Sequence, residues 1–127
     1  EDALPDGALY PQLAGVIYVG THDCPTARAA DVVLPMAMWA EYEGSFTNFQ
    51  GRVQRFRPVV AAPEGVVPLW QLASRWSQAF GGKLFASAAE VFRAMATEHP
   101  LFAKMTFDGL GELGLCAPST EQSKEAR

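Results

Sequence analysis

The stretch from Trp39 to Arg57 gathers Glu41, Glu43, Asn48, Gln50, Arg52, Gln54, Arg55 and Arg57 among five aromatic rings. Arginines and amides interleaved with aromatics can grip a phosphate-bearing, flat-ringed ligand, the guanidinium bonding oxygens in pairs and the rings stacking. The same residues can instead satisfy the backbone of an irregular segment, with Glu41 or Glu43 pairing an arginine. Residue types alone leave both uses open.

His22-Asp23-Cys24 offers two metal-competent side chains. A zinc site typically takes three or four protein ligands, and His99 and Cys116 lie far along the chain without paired spacing, so no metal site is expected. A nucleophilic Cys24–His22 pair has no third group to orient it, and no catalytic residue is assigned. Gly15 to Gly20 follows neither the G-x-G-x-x-G nor the G-x-x-x-x-G-K-[ST] pattern, which removes those two routes to nucleotide binding.

The elements that must position these groups come from a chain of 127 residues, enough for one domain or part of one at roughly 100–200 residues per domain. Hydrophobic residues make up 49% and charged residues 19%, a globular composition with material for a core. Ten basic residues against fourteen acidic ones give a net charge of −4, which repels phosphate backbones and makes nucleic acid a poor partner. No apolar run approaches the roughly 18 residues of a membrane span, so direct membrane insertion is not expected. Two cysteines 92 positions apart suit a reducing compartment, the cytoplasm by default. The first residues lack the pattern of a signal peptide and an initiator Met, and read as a processed or excised segment.

Residues 1–14, with Pro5, Gly7 and Pro11, read as a loop or the end of an upstream element. Gly15–Gly20 and Asp31–Pro35 are short, β-branched and apolar, the pattern of parallel strands covered on both faces. Pro25–Ala30 has room for about one helical turn between them. Short extended pieces are expected near Ser45–Asn48 and Val53–Phe56. The spacing of Leu69, Leu72, Ala73, Trp76 and Phe80 predicts a helix over Pro68–Phe80, stopped by Gly81-Gly82. Ser87 and Glu90 form a capping box that opens a second helix ending before His99-Pro100. Trp70, Trp76, Phe80, Met36, Met38 and Met95 are assigned to the core, Trp76 deeply so. A helical turn is expected after Asp108, and residues 116–127 read as a disordered polar tail. The fold class is α/β, a Rossmann-like parallel-sheet domain with flanking helices.

Four blocks carry a family resemblance: Thr26-Ala-Arg-Ala-Ala-Asp-Val-Val-Leu-Pro35, Glu41-Tyr-Glu-Gly-Ser-Phe-Thr-Asn48, Gly51-Arg-Val-Gln-Arg-Phe56 and Leu69-Trp-Gln-Leu72. They resemble the stretch closing the third domain of molybdopterin oxidoreductases. Phe107-Asp-Gly-Leu-Gly-Glu-Leu-Gly114 resembles the motif before the final barrel of formate-dehydrogenase-like members. The resemblance covers residues 15–115 and implies a piece of a much larger subunit. In nitrate-reductase-like members a guanine dinucleotide cofactor is held by an acidic residue after the first strand, a lysine in Glu-Lys-x-Gly and an aspartate in Asp-Leu-Trp-Gln. Those positions here are Gly20, Tyr42 and Pro68, although a small shift brings Thr21 or Asp23 to the first.

These departures, with the missing barrel, point within the superfamily to the large iron–sulfur subunit of NADH-quinone oxidoreductase, respiratory complex I. That resemblance implies a scaffold region without a cofactor of its own and iron–sulfur clusters elsewhere in the parent. It also implies electron transfer from NADH to quinone, with the other subunits of a membrane-associated respiratory complex as partners at the inner face of the cell membrane. The alternative is a molybdopterin guanine dinucleotide enzyme such as formate dehydrogenase or nitrate reductase, in which Asn48, Arg52 and Gln54 would bind the cofactor. A third reading is a non-catalytic domain that docks neighbouring subunits.

Overall fold

The computed structural model describes residue 10 and residues 12–116. The expected loop over residues 1–14 and tail over 116–127 therefore lie mostly outside the described residues.

The architecture is mixed α/β, built on two small sheets. Strand β1 (Ile17–Gly20) pairs in parallel with β2 (Val32–Pro35), Ile17 opposite Val32 and Gly20 opposite Pro35. The crossover between them holds one short helix, α1 (Pro25–Ala29), with Pro25 in its first turn, where no intrahelical donor is needed. Asp31 fixes the strand starts by accepting a 2.8 Å bond from the Val16 amide. Beyond β2, Met36 forms a parallel bridge with Val67, and the Ala37 amide donates to the Val67 carbonyl.

The predicted extended pieces are the arms of an antiparallel hairpin, β3 (Gly44–Thr47) and β4 (Arg52–Phe56). Asn48 makes its turn. The Asn48 Oδ1 accepts from the amides of Gln50 and Arg52, both at 2.9 Å, while Gly51 takes the φ of 75° that suits glycine. A two-residue strand, β5 (Leu115–Cys116), adds to β4 and so takes Cys116 out of the expected tail.

Helices α2 (Leu69–Ala79) and α3 (Ala88–Glu98) follow the predicted spans, with Pro68 capping α2 from just outside it. At the start of α3, Ser87 Oγ accepts from the Glu90 amide and Glu90 Oε2 accepts from the Ala86 amide. The core gathers Val53 of β4, Ala88 and Phe92 of α3, and Met105, Phe107 and Leu110 around the expected turn at Asp108–Leu110. Trp70 and Met95 pack against it.

Three core assignments are overturned. Trp76 is 39% exposed and Phe80 91% exposed, and Met38 is also on the surface. Helix α2 turns its Trp70–Ser74 side inward, with Ser74 Oγ accepting from the Phe85 amide at 2.6 Å, while Leu69 and Ala73 stay exposed along a groove shared with the hairpin and α3, and Trp76 is exposed outside it. The parallel strands, expected to be covered on both faces, are open as well, with Ile17 62% and Val33 50% exposed. Hydrophobic spacing identifies an apolar stripe, and the described residues supply nothing to lie on these ones.

Candidate functional site

Because β1 and β2 run in parallel, their C-terminal ends meet at one edge, the position at which open α/β sheets receive ligands. A cavity of about 470 Å³ opens there. Gly20, Thr21, His22 and Asp23 form one side as the chain leaves β1, and Pro35 and Met36 form the other as it leaves β2. Glu41 and the Pro63–Val66 turn contribute to the same wall. The cavity has the size of an ordinary small-molecule site.

Each polar wall group is positioned by a specific contact. Tyr18 folds its ring across Gly20, where any Cβ would collide with the phenol, and its hydroxyl donates to the His22 carbonyl at 3.0 Å. Thr21 Oγ1 and His22 Nδ1 share a 2.6 Å hydrogen bond. Arg28 clamps Asp23 through Nε and Nη2, with the shortest contact at 2.9 Å. That hydrogen bond holds the Asp23 carboxyl below the usual aspartate range and keeps Arg28 firmly cationic. The Cys24 thiol beside them is drawn below the usual thiol range, chiefly by the Ala27 amide and then by the Tyr18 hydroxyl. Glu41 ends a 3₁₀ turn, Trp39–Glu41, and its Oε2 accepts from the Met38 amide at 2.8 Å.

The three residues considered for cofactor binding lie elsewhere. Asn48 makes the hairpin turn, Arg52 donates from Nη1 to the Leu113 carbonyl at 3.2 Å, and Gln54 is exposed on β4. None of them lines the cavity. Arg55 pairs with Glu43 at 2.8 Å and with Asp108 at 2.9 Å. Of the positions aligned with the family's cofactor contacts, Gly20 is in the cavity wall, as are Thr21 and Asp23. Tyr42 instead borders an apolar groove between the hairpin and the helices, where burial pushes its hydroxyl pKa up. Pro68 caps α2. Among the described residues no three His, Cys, Asp or Glu side chains are grouped as metal ligands.

Sequence reading missed Arg28 as a wall residue, weighed His22 for a metal or a nucleophilic pair, named Thr21 as the shifted alternative for the first cofactor contact, and took Glu41 only as a partner for arginine. The available signal was their place just beyond, or across from, the C-terminal end of a parallel strand.

The model of the molybdopterin oxidoreductase family matches residues 7–78, more than half of the sequence. The chain belongs to the molybdopterin oxidoreductase family. It is 47% identical over 96 residues to F420-dependent formate dehydrogenase 2 subunit alpha of Methanococcus maripaludis, covering 73% of this chain and 14% of that protein. The alpha subunit of F420-dependent formate dehydrogenase from Methanocaldococcus jannaschii is 31% identical over 101 residues, covering 77% of this chain and 15% of that protein. Formate dehydrogenase H of Escherichia coli is 33% identical over 90 residues, covering 70% of this chain and 13% of that protein.

These relatives correct the assignment to complex I, since they are formate dehydrogenases and the alternative reading is the better supported. That assignment rested on side chains missing at Gly20, Tyr42 and Pro68 and on a missing barrel. The first argument fails because a relative 47% identical carries the formate dehydrogenase name. The second fails because the chain spans only about 14% of the relatives' length. Among the described residues no helix is long and apolar enough to cross a membrane.

Proposed function

We propose that this chain is the part of a formate dehydrogenase-type alpha subunit that holds the nucleotide end of a molybdopterin guanine dinucleotide, in the cavity where β1 and β2 end. The carrying observation is the cavity itself, bounded by the chain segments that leave both parallel strands. Its wall suits a purine nucleotide. Tyr18 supplies a ring, Thr21 and His22 supply hydrogen-bonding groups, Glu41 supplies a carboxylate, and Val33, Met36 and Met38 supply apolar surface for a base.

The cofactor, when bound, supplies the redox chemistry of the whole enzyme. The residues here bind and orient. Arg28, with Nε and Nη2 taken by Asp23, retains Nη1 as a donor that a diphosphate oxygen at the rim could accept. Tyr18, lying across Gly20 and bonded to the His22 carbonyl, fixes the loop that carries Thr21 and His22. Formate as the substrate of the parent enzyme follows from the names of the relatives and belongs to this proposal.

Amide chemical shifts recorded while guanosine diphosphate is added to the folded chain test the reading. Saturable shifts at Gly20–Asp23 and Met38–Glu41 are expected. Shifts confined to the β3–β4 hairpin would move the site to Asn48, Arg52 and Gln54.

A further inference from the structure

The edge of β3 that faces away from β4 is bare. Asn48 donates its amide to the Arg52 carbonyl, and the same register sets Phe46 opposite Gln54 and Gly44 opposite Phe56. An antiparallel ladder alternates, so Gly44, Phe46 and Asn48 turn their backbone groups toward β4 while Ser45 and Thr47 turn theirs outward. Two N–H groups and two carbonyls lie along this edge, and among the described residues nothing bonds to them. Native edges are blunted by lysine, proline or a bulge, and Gly44–Thr47 has none of these.

An apolar groove of about 330 Å³ runs beside the bare edge. Gly44, Ser45 and Phe46 all line it, although successive side chains of a strand point to opposite faces, so the groove follows the backbone edge. Phe56 reaches it from β4 across Gly44, where a Cβ would collide with the ring, and stacks on Phe46 with centroids 4.5 Å apart. Leu69 of α2 and Val91 of α3 belong to the helical wall. Phe46 and Leu69 remain exposed along it.

We infer that an extended segment of the same subunit, from the part outside this chain, adds to the free edge of β3 as a further strand and sets its alternate side chains in this groove. The chain spans about 14% of the length of its formate dehydrogenase relatives, so most of such a subunit is available to supply the strand. A second copy is the poorer occupant, because two chains of net charge −4 repel. Main-chain bonds to Ser45 and Thr47 set the register, and apolar residues at every second position of the segment fill the groove. The surface is separate from the proposed nucleotide site, since no residue of the groove lines the β1–β2 cavity.

Amide hydrogen exchange, read residue by residue, compares the 127-residue chain alone with the full-length alpha subunit that contains it. In the chain alone the Phe46 amide, turned to β4, should exchange slowly and those of Ser45 and Thr47 fast. In the full-length subunit the Ser45 and Thr47 amides should slow by about tenfold or more. Equally fast exchange in both overturns the inference. Slow exchange of the two amides in the chain alone overturns it as well, giving the edge to a second copy if dilution removes the protection and to another part of this chain if it persists. Ser45→Pro separates strand pairing from simple coverage, since it removes an outward N–H and leaves the β4 ladder intact. The chain alone should keep its melting temperature, and the full-length subunit should lose the protection of Thr47. Protection of Thr47 that survives in full-length Ser45→Pro overturns the pairing. Should Ser45→Pro unfold the chain alone, the wild-type exchange comparison decides.

Discussion

The Arg55 guanidinium lies 4.4 Å from the centre of the Phe107 ring, so a cation carried by the hairpin rests on the aromatic face of a core residue. From that position it reaches Glu43 with Nη2 and Asp108 with Nη1. Its Nε is enclosed without a partner. One side chain thereby ties β3, β4 and the turn at Asp108–Leu110 together. Arg55→Ala should lower stability by about 1–3 kcal/mol in urea denaturation, through the lost ring contact and the lost charge-assisted bonds. Arg55→Lys should recover only part of this, because an ammonium cannot lie flat on a ring and span two carboxylates. A wild-type midpoint for Arg55→Ala would contradict the account.

The two large rings Phe92 and Trp76 should respond unequally to truncation. Phe92 is 3% exposed and meets Phe102 and Phe107 edge-on or tilted, so Phe92→Ala should cost about 3–5 kcal/mol. Trp76 is 39% exposed and only partly covered, so Trp76→Ala should cost clearly less, about 1–2 kcal/mol. Thermal melts of both variants check this, and a large loss at Trp76 would mean that its helix face is covered in solution.

The contrast shows where sequence reading reaches and where it stops. The α2 and α3 spans are legible because Gly81 and the Ser87–Glu90 cap act locally, and helical spacing is a local signal. Parallel pairing of β1 with β2 is legible from two unbroken apolar runs. Which face of α2 is buried is not legible, since Leu69, Ala73 and Trp76 form the more apolar stripe and still remain exposed. The Arg55–Glu43 pair was among the anticipated options for the arginine-rich stretch, but its third member, Asp108, lies 53 positions away. The cavity wall was harder to see. Glu41 opens one of the family-like blocks, whereas Thr21 and His22 carry no motif, and the three meet only once β1 and β2 are placed side by side.

Asp23 gives the pH dependence. Its folded pKa is depressed by the hydrogen bond from Arg28, so its contribution to stability is fully present above the unfolded aspartate value and is lost as pH falls through the lower, folded one. A carbon-detected titration of the Asp23 carboxyl should have its midpoint below the usual value of about 3.9. Arg28→Gln should bring it back up. A midpoint unaffected by Arg28→Gln would show that the pair does not persist in solution.

The central claim is that the cavity at the ends of β1 and β2 receives the nucleotide end of the cofactor. Photolabelling with 8-azidoguanosine diphosphate, followed by peptide mapping, tests it most directly. The account predicts a covalent adduct between Tyr18 and Glu41, suppressed by excess guanosine diphosphate. Competable labelling on Asn48–Gln54 instead, with Tyr18–Glu41 unmodified, would contradict it.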